Sequence, residues 1–161
     1  MEKEKQLTAP VGGNLSVKTN ITATIRDAET GDIKRVYKHK NLVATVGRSV
    51  FAQILSNDLT YTGVINYGAL GTGTTPPTSA DTTLETEVFR KAPASQTASA
   101  NVSYNSFFYT AIEVDGTFKE FGTFIDGTAS VDTGQLFNKV AVNWVKTNTE
   151  TLTVDVENTL T

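Results

Sequence analysis

The chain has no cysteine, which excludes disulfide scaffolds, thiolate zinc sites and cysteine nucleophiles. It has one histidine, so no second imidazole can complete a zinc site or support a histidine-based catalytic pair. Proline and glycine number 4 and 12 among 161 residues, far from a collagen. No apolar run approaches the ~18 residues that a membrane-spanning helix needs. Neither charge sign dominates: 14 basic against 17 acidic residues leave a net charge of −3 and a pI near 5.1. That balance gives no general grip on a phosphate backbone. The opening Met1-Glu-Lys-Glu-Lys5 leads into no apolar core of a secretory signal, and none is expected.

What the chain does have is threonine, 27 residues of it, roughly twice the share of an ordinary soluble protein. Threonine is β-branched and suits pleated, half-exposed strands. With 39% hydrophobic and 19% charged residues, the chain can bury a core, and its length suits one domain. Residues 1–14 read as an extended N-terminal arm. Residues 15–161 read as a single β-sandwich domain.

Hydrophobic periodicity places the elements. Val17, Thr19, Ile21, Ala23 and Ile25 share one strand face, and a turn around Gly31 returns the chain as a second strand from Ile33. Val46, Val50, Phe51, Ile54 and Leu55 recur at helical spacing and end at Ser56-Asn57-Asp58, predicting one short helix near 46–56. Val64–Leu70 reads as a buried strand, followed by an irregular loop over 71–80. Thr82-Thr-Leu-Glu85 resembles a capping box, which predicts a helical turn or two carrying Leu84 and Val88 into the core. Asn101–Val114 reads as a strand with Val102, Tyr104, Phe108, Ile112 and Val114 in phase. Asp115-Gly116 then turns it into a partner strand, Phe118–Ile125. Val140, Val142 and Trp144 share a phase, as do Leu152, Val154 and Val156. The sum is an all-β chain, a β-sandwich or jelly roll of about seven or eight antiparallel strands with one short helix.

Chemistry-bearing patterns are sparse. Gly68, Gly71 and Gly73 do not follow a dinucleotide or P-loop spacing, and Pro76-Pro77 stands where a phosphate-binding helix would need free N–H groups. A glycine-rich turn leaving a buried strand accounts for them better. His39 sits between Lys38 and Lys40 at a strand end and reads as a surface residue. The acidic pairs Glu113/Asp115, Asp155/Glu157 and Glu85/Glu87 are better read as solvated strand faces than as a glycosidase pair. Asp126 and Asp132 could meet a calcium ion in a loop, without an EF-hand period. Lys34, Arg35, Lys38 and Lys40 divide between the two faces of one strand, so they protect an edge and do not form a nucleic-acid stripe. No catalytic, cofactor-binding or metal-binding residue is assigned, no cofactor is implied, and the chain reads as a non-enzyme.

Three segments taken in order resemble a known group. They are Asn41-Leu-Val-Ala-Thr-Val-Gly47-Arg48; then Ile65-Asn-Tyr-Gly-Ala-Leu-Gly71-Thr-Gly73-Thr-Thr-Pro-Pro-Thr-Ser-Ala-Asp81-Thr-Thr-Leu-Glu85-Thr-Glu87-Val-Phe-Arg90; then Lys119-Glu120-Phe-Gly122-Thr-Phe124 with Leu136-Phe137-Asn-Lys139, Val145-Lys146-Thr147 and Leu152-Thr-Val-Asp-Val156. Together they are similar to small β-rich virion structural proteins of tailed bacteriophages. Phe121-Gly-Thr-Phe124 departs from the related pattern, which has a small or aliphatic residue before phenylalanine, while Gly122 and Phe124 remain in place. The resemblance implies a non-enzymatic virion component that self-associates and docks to other virion proteins, in the tail, baseplate or fibre-adaptor region. Capsid decoration is the alternative. A carbohydrate-binding β-sandwich with Trp144 and Tyr67 as first suspects stands further off. The expected partners are copies of itself and other virion proteins, with no nucleic acid and no membrane. The adjacent aromatics Phe107, Phe108 and Tyr109, with Phe118, Phe121 and Phe124, cannot all enter one core. Some must form a second buried surface, in the opposing sheet or against another subunit.

Overall fold

Alternation of small or branched apolar residues with polar ones makes Val17–Asp27 the first strand. In the computed structural model, which describes residues 15–161, this strand β1 buries Thr19, Ile21, Ala23 and Ile25 on one face. The expected arm at 1–14 lies outside the described residues. The elements that follow are β2 (Ile33–Lys40), β3 (Leu42–Val43), α1 (Thr45–Leu55), β4 (Ile65–Gly71), β5 (Glu87–Lys91), β6 (Ser95–Ser99), β7 (Val102–Tyr109), β8 (Gly116–Ile125), β9 (Gln135–Lys146) and β10 (Glu150–Leu160). They form two five-stranded antiparallel sheets, in the orders β2-β1-β10-β7-β6 and β3-β9-β8-β4-β5. The architecture is the expected all-β sandwich with one short helix, built from ten strands among the described residues where seven or eight were expected.

The sheets face each other across Ile25, Phe107, Phe121, Trp144, Leu152 and Val154. Phe121 packs against both Phe107 and Trp144, with ring centroids 6.0 and 5.7 Å apart, the tilted contacts that aromatic quadrupoles favour. A second, smaller core lies outside the sandwich. Phe124, Leu136 and Ala69 point away from the first core and are covered by Leu84 and Ala44. This resolves most of the surplus of aromatics: the second buried surface is made by the chain's own loop, and Phe108 alone of that group stays substantially exposed.

Helix α1 ends where Ser56-Asn57-Asp58 was expected to end it. Asn57 takes the left-handed conformation (φ 57°), and the Asp58 N–H closes back onto the Gln53 carbonyl at 2.9 Å, the geometry of a helix stopped by a residue that tolerates positive φ.

Three expectations are corrected. Thr82–Glu85 forms no helical turn, because Glu85 turns its carboxylate to Thr75 (N–H at 2.8 Å, hydroxyl at 2.7 Å) and not to its own backbone. Leu84 is buried, while Val88 lies exposed on β5. In β7 the inward phase is Asn105, Phe107 and Tyr109, not Val102, Tyr104 and Phe108, and Ile112 is 92% exposed in the following turn. A polar residue inside the sandwich reversed the reading; Asn105 is tolerated there because the Gln96 side chain donates to it at 2.7 Å. Finally, β7 and β8 belong to different sheets, so Asp115-Gly116 crosses the sandwich and does not close a hairpin.

Gly47 sets how closely α1 approaches β9. A Cβ there would lie 2.7 Å from both Cα and O of Phe137, main-chain atoms that cannot rotate away. Gly47→Ala is therefore expected to cost about 1–3 kcal/mol through overpacking. Urea denaturation will read the change as a lowered midpoint with an unaltered slope.

Candidate functional site

The glycine-rich loop that singled itself out in the sequence is organised by one buried carboxylate. Glu120 projects from the outward face of β8 and is only 1% exposed. It accepts hydrogen bonds from the main-chain N–H groups of Gly73 (3.1 Å), Glu85 (2.9 Å) and Thr86 (2.7 Å). Lys139 on β9 approaches the same carboxylate at 3.2 Å and reaches Asp81 at 3.1 Å. A charge taken out of water at this depth requires such compensation. The glycines now have a reason. A Cβ on Gly73 would meet Glu120 Oε1 at 2.6 Å, and one on Gly71 would meet it at 2.5 Å.

The rest of the loop is tied by its own side chains. Asp81 accepts from the Thr78 N–H (3.2 Å) and hydroxyl (2.7 Å). Burial works to raise its pKa, but Thr78 and Lys139 outweigh it and hold the carboxyl below its ordinary range. The main-chain N–H and then the hydroxyl of Thr75 likewise hold Glu85 down. Ser79 accepts from the Thr45 N–H at 2.8 Å, joining the loop to the start of α1.

A second buried pair anchors the neighbouring loop. Arg90 and Glu87, both fully buried, meet in a bidentate contact at 2.5 and 2.7 Å. Arg90 also donates to the carbonyls of Thr128 (3.1 Å) and Thr133 (2.8 Å). Its guanidinium lies 4.6 Å from the Phe124 ring centroid and 5.4 Å from that of Tyr67. A planar, multiply donating cation is required here; a lysine could not fill both the fork and the carbonyls.

The other sequence candidates do not converge on chemistry. Asp126 accepts from Thr62 and Asp132 from Thr83, and no group of three or more metal-ligating side chains occurs among the described residues. Glu85 and Glu87 serve the two separate clusters above. Glu113 takes Lys91 at 2.5 Å and the Thr110 N–H at 2.7 Å. Trp144 is fully buried and Tyr67 is half-buried against Arg90, so the tryptophan offers no stacking face to a sugar. His39 lies on the inward side of β2, where its Nε2 accepts from the Trp144 indole N–H at 3.1 Å. Burial lowers its pKa.

Asp155 and Glu157 share the outer face of the β2-containing sheet. Cross-strand register aligns Lys40, Asn20, Glu157, Tyr104 and Thr97 in one row, and Lys38, Thr22, Asp155, Ser106 and Ser95 in the next. A shallow groove of about 280 Å³ runs over the part of these rows from Asn20 and Thr22 to Thr97 and Ser95. No protein-family model, curated protein or solved structure matches this chain. No helix among the described residues is long and apolar enough to cross a membrane.

Sequence reasoning missed Glu120, Lys139, Glu87 and Arg90 as a buried polar set. A strand such as Lys119-Glu-Phe-Gly-Thr-Phe124 does carry one signal. Its glutamate shares a phase with Gly122 and Phe124, which is unusual for a solvated face.

Two expectations follow from these contacts. Glu120→Gln removes the charge that faces Lys139 and should cost about 3 kcal/mol. In a double-mutant cycle with Lys139→Met the combined loss should be smaller than the sum of the single losses, as measured by chemical denaturation. The lowered pKa of His39 means that its contact with Trp144 is complete above the ordinary histidine value of about 6.5 and is lost as pH falls through the lower folded value. Fluorescence of the single tryptophan should be flat above that pH and change below it. His39→Gln, which keeps an acceptor without a titration, should abolish the transition.

Proposed function

We propose that this chain is a non-enzymatic structural component of a tailed-phage virion, located in the tail, baseplate or fibre-adaptor region, that self-associates and docks to other virion proteins. The observation that supports the reading is where the residues of the resemblance go. The segments 41–48, 65–90 and 119–124 with 136–139 are far apart in sequence, yet they meet at Glu120, Lys139 and the Thr45–Ser79 link. The motif therefore serves to pin a long loop onto a sheet. Its carboxylates are consumed by main-chain N–H groups and by Lys139, which supports a structural role. A sandwich whose recognisable residues maintain shape is suited to a particle component, which must keep its surface unchanged through assembly.

Immunogold labelling of the phage particle, viewed by electron microscopy, tests this. Gold at the neck, tail or tip is expected. Gold over the head would favour capsid decoration, and unlabelled particles with accessible epitopes would sink the virion reading.

One observation favours carbohydrate binding as a second reading. The groove over Asn20, Asp155, Glu157 and Tyr104 offers acceptors beside an aromatic ring that is 42% exposed, a combination suited to a hydroxyl-rich ligand. A glycan array with no bound member would remove it.

A further inference from the structure

Sheets expose their edges, and soluble proteins guard them with charge, proline or shortness. Among the described residues this sandwich has four edge strands. Strand β3 has two residues. Strand β2 carries Lys34, Arg35, Lys38 and Lys40, and β5 carries Glu87, Arg90 and Lys91. Among the described edges longer than two residues, only β6, Ser95-Gln-Thr-Ala-Ser99, has neither charge nor proline, and all five of its residues are exposed. It is held in place from the inside. The Gln96 side chain donates to the Ile65 carbonyl at 2.6 Å and to Asn105 at 2.7 Å, so the edge is a fixed rail.

We propose that β6 is a self-recognition edge, through which two copies of this chain pair antiparallel about a two-fold axis at Thr97 and join their outer sheets into one. The inference rests on the self-association in the function proposed above and names its surface. The backbone geometry allows it. Strands β6 and β7 are joined by a two-residue turn, Ala100-Asn101, closed by the pair Ser99 and Val102. In such a hairpin the closing pair exchanges both hydrogen bonds. Ser99, Thr97 and Ser95 therefore turn their main-chain groups toward β7, and Gln96 and Ala98 turn theirs outward. A two-fold axis at Thr97 sets Gln96 opposite Ala98 of the second copy, and the reverse, so every outward N–H and C=O of that pair finds a partner.

The side chains agree. Thr97 meets Thr97 of the second copy, and Ser95 meets Ser99, so no like charges oppose, and threonine–threonine pairs are favourable across strands. The same operation on β2 would bring a lysine- and arginine-rich edge against itself. A five-residue strand pair buries little area, so the free dimer is weak and gains its strength from repetition in an assembly.

The absence of native cysteine gives a clean test. Thr97→Cys, oxidised at micromolar concentration, should form disulfide-linked dimer at least ten times faster than Val36→Cys on the β2 edge or Asn148→Cys in a turn. The non-hydrogen-bonded pair brings the two Cβ atoms close. Thr97→Lys, with folding verified by Trp144 fluorescence, should lower the dimer fraction of the otherwise native chain in light scattering. Cross-linking of Thr97→Cys no faster than the controls overturns the proposal. If the native chain is still oligomeric in that case, self-association uses another surface. If the native chain is monomeric, self-association itself fails, while gold labelling judges the virion reading separately.

Discussion

A carboxylate buried on the outside of a β-sheet is the constraint on which much of this structure depends. The 71–86 segment takes Glu120 out of water and supplies all three main-chain donors that replace its hydration, so the segment can cover the carboxylate only in the placement where those donors reach it. The carboxylate therefore acts as a latch. Once β8 and β9 pair, bringing Glu120 and Lys139 onto one face, the loop has one favourable place to lie. Laying it there buries Leu84 over Phe124 and Leu136, and the Thr45–Ser79 bond joins the start of α1 to it.

The same logic recurs with different partners. Arg90 does for the 126–134 segment what Glu120 does for 71–86: a buried charge collects main-chain groups of a loop and fixes its path. At the other end of the sandwich, buried Lys146 donates to the carbonyls of Ala111 (3.0 Å) and Val114 (2.6 Å) and so holds the β7–β8 crossing. Burial lowers its pKa. Long irregular connections carry unpaired main-chain groups, and a charged side chain reaching out from a strand is an efficient way to satisfy several at once. This protein uses both signs of charge for that purpose.

Where loops are latched, edges become the remaining variable surface. Three of the four are short or charged. The contrast between the lysine-bearing β2 and the neutral β6 is a contrast between an edge that repels copies of itself and one that does not. The outer face between them runs from Lys38 and Lys40 through Asp155 and Glu157 to Tyr104. Its charge is thus graded across the sheet, and the neutral end is the one left to meet a neighbour.

Alternation alone was enough to place β1, β10 and the second half of β9, because each pairs a run of apolar residues with a more polar face and period two leaves no ambiguity. The helix and its stop at Asn57 were legible for similar local reasons. Where adjacent aromatics stand side by side, as in Phe107-Phe108-Tyr109, period two has no phase to report, and only the opposing sheet decided which two went inside. Strand β6 was invisible because Ser-Gln-Thr-Ala-Ser carries no apolar signal; pairing with β7 makes it a strand. The loop motif was visible as a pattern, but its meaning was not. Glu120 and the N–H groups it accepts from are more than thirty residues apart, and a contact of that span exists only once the sheet has brought its ends together.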